Sequence, residues 1–187
     1  MKKKIVRRSK ETQIEIVVGR SAERGLGHVE VSTTLPFFDH MLTALARYGG
    51  LDLRLRAEGD LRHHIMEDVA IALGRAVRSI TPAAAARYGE RTIPMDDALV
   101  QAVIDVGGRS YFEGELPNRL YTHVLRSLAD SLGASLHVRV LRGKDRHHVI
   151  EAAFKATGLA LRQALADTGG EIFSTKGAVE LVEEDVP

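Results

Sequence analysis

Apolar and polar residues alternate from Thr12 to Val18: Ile14, Ile16 and Val18 share one side, Gln13 and Glu15 the other. That period of two marks a strand with one buried face. The same alternation runs through Leu51 to Ala57 and Ser135 to Leu141, and shorter strands are predicted at Lys4 to Arg8 and His28 to Ser32. Ala98 to Val106 and Tyr111 to Glu115 also have strand composition, and Gly107-Gly108 between them predicts a hairpin. Helical spacing covers Pro36 to about Tyr48, His64 to Ser79, the stretch from about Tyr121, and His147 to about Ala166. Pro36 suits a helix start, Asp39 a cap or first-turn acid, and Gly49-Gly50 and Thr81-Pro82 are stops. Gly19 to Gly27 has turn composition. Ala83 to Arg87 is expected to add a helical turn before Gly89, and Met95-Asp96-Asp97 to form the turn into the next strand.

These elements occur twice. Arg62-His63-His64-Ile65-Met66-Glu67 and Arg146-His147-His148-Val149-Ile150-Glu151 share one pattern, Arg-His-His-apolar-apolar-Glu. Upstream, His40, Leu42, Leu45 and Ala46 match His123, Leu125, Leu128 and Ala129 at an offset of 83. The strand Leu53-Leu55-Ala57 matches Leu136-Val138-Val140 by period at that offset. From Gly59 and Gly143 onward the offset is 84, which places one extra residue in the second copy at that turn. Ala72, Gly74, Ala76 and Arg78 then match Ala156, Gly158, Ala160 and Arg162. The unit is a His-bearing helix, a strand, a turn and a His-His-x-x-Glu helix.

The expected architecture follows. Each half makes a small sheet with two helices on one face, and packing the two helical layers together buries both. The fold class is α+β, a duplicated half-domain with two β-sheets sandwiching a layer of helices. A chain of 187 residues suits one domain, here made of halves at about 1–90 and 91–187. A hydrophobic fraction of 44% suffices for a core. The net charge of +1 selects neither nucleic acid nor acidic membranes, and the basic stretch Lys2 to Arg8 has few aromatics beside it. There is no Cys, which removes disulfides and thiolate chemistry. No apolar run approaches the ~20 residues of a membrane span, and the basic start lacks the apolar segment of a signal peptide. A cytoplasmic protein is the expectation.

Six of the eight histidines lie in the repeat: His40, His63, His64, His123, His147 and His148. With Glu67 and Glu151 they make eight candidate ligands. Imidazole and carboxylate donors without thiolate suit Mn, Fe, Co, Ni or Zn. The first His of each pair and the Glu four residues on share a helix face. Adjacent histidines diverge by about 100°, so each pair is expected to serve two different ions. Asp39 and Asp68 adjoin candidate ligands, either as partners of imidazole N–H groups or as caps and surface acids.

Leu35-Pro36-Phe37-Phe38-Asp39-His40-Met41-Leu42, His63-His64-Ile65-Met66-Glu67-Asp68, Pro94-Met95-Asp96-Asp97-Ala98-Leu99, His147 to Lys155 and Ser174-Thr175-Lys176-Gly177 together resemble the imidazoleglycerol-phosphate dehydratase family of histidine biosynthesis. The likeness runs in order along nearly the whole chain. It implies the ribosomal protein S5 domain 2-like form of the fold above, a 24-subunit homo-oligomer with active sites at subunit interfaces, and two Mn(II) ions per site. One ion is implied to sit at His40, His64, His147 and Glu151, the other at His63, Glu67, His123 and His148. The resemblance assigns catalysis to Glu11, His40, Glu67 and Glu151, and substrate contacts to Glu11, Arg87, Arg109, Ser174, Thr175 and Lys176. The implied reaction is metal-dependent dehydration of D-erythro-imidazole glycerol phosphate to imidazole acetol phosphate. A metal-assembled storage oligomer is the non-enzymatic alternative. The chain departs from the family's pattern in having only Leu61 and Arg62 between its Gly-Asp turn and the first His-His, and Ile65 where Thr is common.

Overall fold

The computed structural model describes residues 2–21, 27–170 and 173. The elements are β1 (Lys2–Arg8), β2 (Thr12–Arg20), β3 (Val29–Ser32), α1 (Pro36–Tyr48), β4 (Leu51–Gly59), α2 (Arg62–Arg78), β5 (Tyr88–Met95), β6 (Ala98–Asp105), β7 (Tyr111–Gly114), α3 (Arg119–Leu132), β8 (Ser135–Arg142) and α4 (Arg146–Ala164). They form two four-stranded sheets of order β1-β2-β4-β3 and β5-β6-β8-β7. In each sheet the last-named strand lies parallel to its neighbour and the other pairs are antiparallel.

The alternating strands place one row of side chains on the helices, as a half-buried pleat requires. Ile14, Ile16 and Val18 in β2 and Leu51, Leu53 and Leu55 in β4 are at most 2% exposed, while Gln13, Glu15, Arg54 and Arg56 face outward. On the other face of the molecule Val100, Ala102, Leu136 and Val138 do the same for β6 and β8. Between the sheets, α2 packs on α3 and α1 on α4, giving the sheet–helices–sheet order.

The two sheets share one register. Val29 pairs with Leu53 in the first, and Phe112 with Leu136 in the second, each 83 positions on. The repeat's extra residue sits two positions earlier than the turn. β6 meets β8 at Leu99–Arg142 and then at Val100–Val140, so Leu141 is skipped as a bulge.

Glycine sets the spacing of both helix pairs. A Cβ on Gly74 of α2 would lie 2.6 Å from the Leu128 carbonyl oxygen of α3. A Cβ on Gly158 of α4 would lie 2.5 Å from the Leu45 carbonyl oxygen of α1. These are matched positions of the repeat, so the close approach is built the same way twice.

Three expectations are corrected. Gly107-Gly108 does not close a hairpin: β6 pairs with β5 and β8, and β7 pairs with β8 instead. The hairpin is formed by β5 and β6 around Asp96-Asp97, with Asp96 at φ 46°. No strand was expected over residues 88–95, because Gly89 and Pro94 break the pattern; β5 tolerates them as an edge strand whose outer side needs no ladder bonds. The added helical turn at Ala83 to Arg87 is absent, and Ala85 instead bridges to Asp167.

Candidate metal centre

Two histidine–glutamate clusters lie on the helical layer. In the first, His40 of α1 meets His147 and Glu151 of α4. Glu151 Oε2 is 3.2 Å from His40 Nε2 and 3.1 Å from His147 Nε2. In the second, His123 of α3 meets His63 and Glu67 of α2. Here Glu67 Oε1 is 3.0 Å from His123 Nε2, and Glu67 Oε2 is 3.5 Å from His63 Nε2. In each trio the donor atoms lie within 4.8 Å of one another. The repeat maps His40, His147 and Glu151 onto His123, His63 and Glu67, so the copies exchange roles between the two clusters.

Local structure fixes these groups. The i,i+4 spacing in α2 and α4 places each glutamate one turn beyond the first histidine of the pair. Asp145 caps α4 by accepting from the His147 and His148 backbone N–H groups. Glu151 is 5% exposed. Burial pushes its carboxyl up, but hydrogen bonds from Lys155 and His40 outweigh that and hold it below the ordinary range. Lys155 Nζ lies 2.7 Å from Glu151 Oε1.

His123 Nε2 is the telling atom. Among the described residues it is shut off from water and has no hydrogen-bond partner, although Glu67 Oε1 lies 3.0 Å away. A buried ring nitrogen left unsatisfied is costly, and a cation between imidazole and carboxylate removes that cost. The oxygen and nitrogen donors fit a Mn(II)-type ion.

The second histidine of each pair points elsewhere within the chain. His64 Nδ1 is 2.8 Å from Asp60 Oδ1 and 3.9 Å from Glu11 Oε2. His148 Nδ1 is 2.8 Å from Asp97 Oδ1, and its Nε2 is 3.2 Å from Asp96 Oδ2. Hydrogen bonds to the Asp60 and Asp97 carboxylates raise the two imidazoles above their ordinary range. Asp97 falls to about 2, held mainly by the Lys144 backbone N–H and then by His148. Among the described residues, neither His64 nor His148 belongs to such a trio.

The remaining candidates are scattered. Glu11 is exposed at the tip of the β1–β2 turn, near His64. Arg87, at φ 69°, donates to both oxygens of Asp105 and to the Phe173 carbonyl. Its guanidinium is raised by that carboxylate. The Arg87 backbone N–H bonds Ala164 at the far end of α4. His147 to Ala164 is 17 residues, roughly 25 Å at about 1.5 Å per residue. Arg87 therefore cannot touch a substrate held at His147 of its own chain. Arg109 is exposed; Ser174, Thr175 and Lys176 lie outside the described residues. A cavity of about 640 Å³ lined by Arg20, Ser79, Thr81, Arg162 and Asp167 holds none of the histidines.

Asp39 and Asp68 do not touch imidazole. Asp39 accepts from the backbone and hydroxyl of Thr33, and Asp68 accepts from Arg7 and Thr12. The acids that do hold histidines, Asp60 and Asp97, had only the character of turn residues in the sequence. The i,i+4 spacing of Asp60 and His64 was the one available signal; Asp97 gave none, being 51 positions from His148.

Comparison with known proteins decides what this centre belongs to. The family model described as imidazoleglycerol-phosphate dehydratase matches residues 33–161. This chain is a member of the imidazoleglycerol-phosphate dehydratase family. It is 44% identical to the Salinibacter ruber imidazoleglycerol-phosphate dehydratase, the match covering 94% of each chain. Identity to the Archaeoglobus fulgidus protein of that name is 36%, over 95% of this chain and 99% of that one. A crystal structure of the Pyrococcus furiosus enzyme superposes with a TM-score of 0.82 at 38% identity, covering 94% of this chain and all of that one. For the Staphylococcus aureus enzyme the values are 0.77 and 32%, over 90% and 100%. The chain is thus a hydro-lyase of histidine biosynthesis, and the storage-oligomer alternative falls away. Among the described residues, no helix is long and apolar enough to cross a membrane.

Proposed function

We propose that copies of this chain assemble, as a cytoplasmic 24-mer, into an enzyme that dehydrates D-erythro-imidazole glycerol phosphate to imidazole acetol phosphate with two Mn(II) ions per site. The observation that carries this is the pair of symmetry-matched His–His–Glu trios, each one donor short of the sets implied for the family, with His64 and His148 outside both trios. One ion is held by His40, His147 and Glu151 with His64 of the partner subunit. The other is held by His63, Glu67 and His123 with His148 of the partner subunit. Bound Mn(II) supplies Lewis acidity and a template on which the imidazole ring is oriented.

The chain's own groups do the rest. Loss of water removes a hydroxyl from the carbon beside the ring and a proton from the next carbon, and the enol left behind becomes the ketone by gaining a proton at the carbon beside the ring and losing its O–H proton. Glu11 moves those protons; its exposed carboxylate, 3.9 Å from His64 Nδ1, supports the role. Arg109, Ser174, Thr175 and Lys176 receive the phosphate, for which cationic and hydroxyl donors are suited. Arg87 belongs to this group by holding Phe173, the residue before Ser174. Its roughly 25 Å separation from His147 along α4 requires that the phosphate and the ring meet residues of different copies.

The test is turnover of imidazole glycerol phosphate by purified protein before chelation, after it, and after Mn add-back. Activity is expected to vanish on chelation and return with Mn, while His64→Ala stays inactive in all three. Undiminished turnover by metal-free protein would exclude the reading.

A further inference from the structure

Asp68 follows Glu67 in sequence but turns away from the histidines. It is 7% exposed, and Thr12 beside it is 2% exposed. Asp68 Oδ1 accepts from Arg7 at 2.6 Å and Oδ2 from the Thr12 hydroxyl at 2.6 Å. The Thr12 and Ser9 hydroxyls lie 3.2 Å apart, and Ser9 Oγ accepts from the backbone N–H groups of Glu11 and Thr12. These bonds lash the Ser9–Thr12 turn, with Glu11 at its tip, to α2. The Glu11 carbonyl then accepts from the Asp60 N–H at 3.0 Å, and Asp60 holds His64.

The internal repeat supplies the control. The positions matching Arg7, Thr12 and Asp68 are Ile93, Ala98 and Ala152, by offsets of 86, 86 and 84. Ala98 and Ala152 are buried, and Ile93 packs against the same core. The fold therefore accepts apolar side chains at all three places. A buried ion pair is often no more stabilising than a well-packed apolar set. Here Arg7 Nε is also buried without a hydrogen-bond partner among the described residues. The counterpart of Glu11 in the second copy is Asp97, whose carboxylate is fixed directly by the Lys144 and Asp145 N–H groups. Among the described residues, Glu11 has no such backbone bonds to its carboxylate, so its turn must be held from beneath.

We propose that Asp68, acting through Thr12 and Arg7, is a positioning residue for Glu11, setting where that carboxylate stands at the active site. This rests on the acid–base role proposed for Glu11. The experiment transplants the second copy's residues: Arg7→Ile, Thr12→Ala and Asp68→Ala together, made in the wild-type chain and in a Glu11→Gln chain. The triple variant is expected to assemble, keep its thermal midpoint and bind Mn like wild type. Its KM stays within about twofold while kcat falls roughly 10- to 100-fold, the scale of a misplaced reacting group. In the Glu11→Gln background the same triple change costs nothing further. An unchanged kcat, or an equal loss with and without Glu11, overturns the proposal. Should the triple variant not fold, Thr12→Val against Thr12→Ser decides: Val is expected to lower kcat and Ser to retain it, and equal kcat values overturn it. Absence of dehydration by the wild-type protein would sink the underlying function as well, and is distinguishable because it precedes any variant.

Discussion

His64 and His148 stand at matched positions, and each meets a carboxylate at 2.8 Å through Nδ1. That contact orients each ring through Nδ1; Nε2 of His148 also lies 3.2 Å from Asp96 Oδ2. Removing such a partner generally weakens a metal site 10- to 100-fold. Asp60→Asn and Asp97→Asn are therefore each expected to raise the Mn dissociation constant by about that factor, as measured by titration. An unchanged constant would show that the acids do not orient ligands. Asp68 makes a separate prediction. Burial raises its carboxyl, and the bonds from Arg7 and Thr12 overcome this and leave it below the ordinary value of 3.8. A depressed folded pKa stabilises above the unfolded value and is lost as pH falls through the folded one. The gap in thermal midpoint between wild type and Asp68→Asn is expected to be widest near pH 6 and to narrow by about pH 3; a constant gap contradicts it. At this scale the His–Glu pairing within α2 and α4 was legible because helical spacing alone places a histidine and a glutamate on one face. The Arg7–Asp68 pair was not, because 61 residues separate partners that only the tertiary fold brings together.

Helices and strands carry the spacing between ligands. Each trio spans two helices whose approach is set by Gly74 or Gly158. Gly74→Ala gains up to about 1 kcal/mol in helix propensity, but overpacking against the Leu128 carbonyl costs about 1–3 kcal/mol. The net expectation is a thermal midpoint lowered by up to roughly 10 °C. Mn loss should be confined to the His63–Glu67–His123 trio, and Gly158→Ala should affect the other trio instead. Calorimetry with Mn titration reads both, and a midpoint that rises would refute the close-packing argument. The helices and most strands were readable because their apolar periods are long and clean. Residues 88–95 hid a strand because Pro94 and Gly89 are tolerated at a sheet edge, which local pattern does not reveal. β7 was given the wrong partner because its true neighbour, β8, follows a whole helix later in sequence.

On the proposed reading, one chain does not close its own site. His64 and His148 leave their chain's trios, and Arg87 lies at the opposite end of α4 from His147. Composition and periodicity describe a single chain, so this incompleteness was not legible in them; only the family resemblance implied sites between subunits. The most direct measurement mixes two inactive variants, His64→Ala and Glu151→Gln, by co-assembly in equal amounts. A site drawing Glu151 from one copy and His64 from another is intact when the first copy is the His64 variant and the second the Glu151 variant. Dehydration should therefore return in the mixed assembly to about a quarter of the wild-type rate per site. A mixture as inactive as its two parents would contradict a metal centre shared between copies.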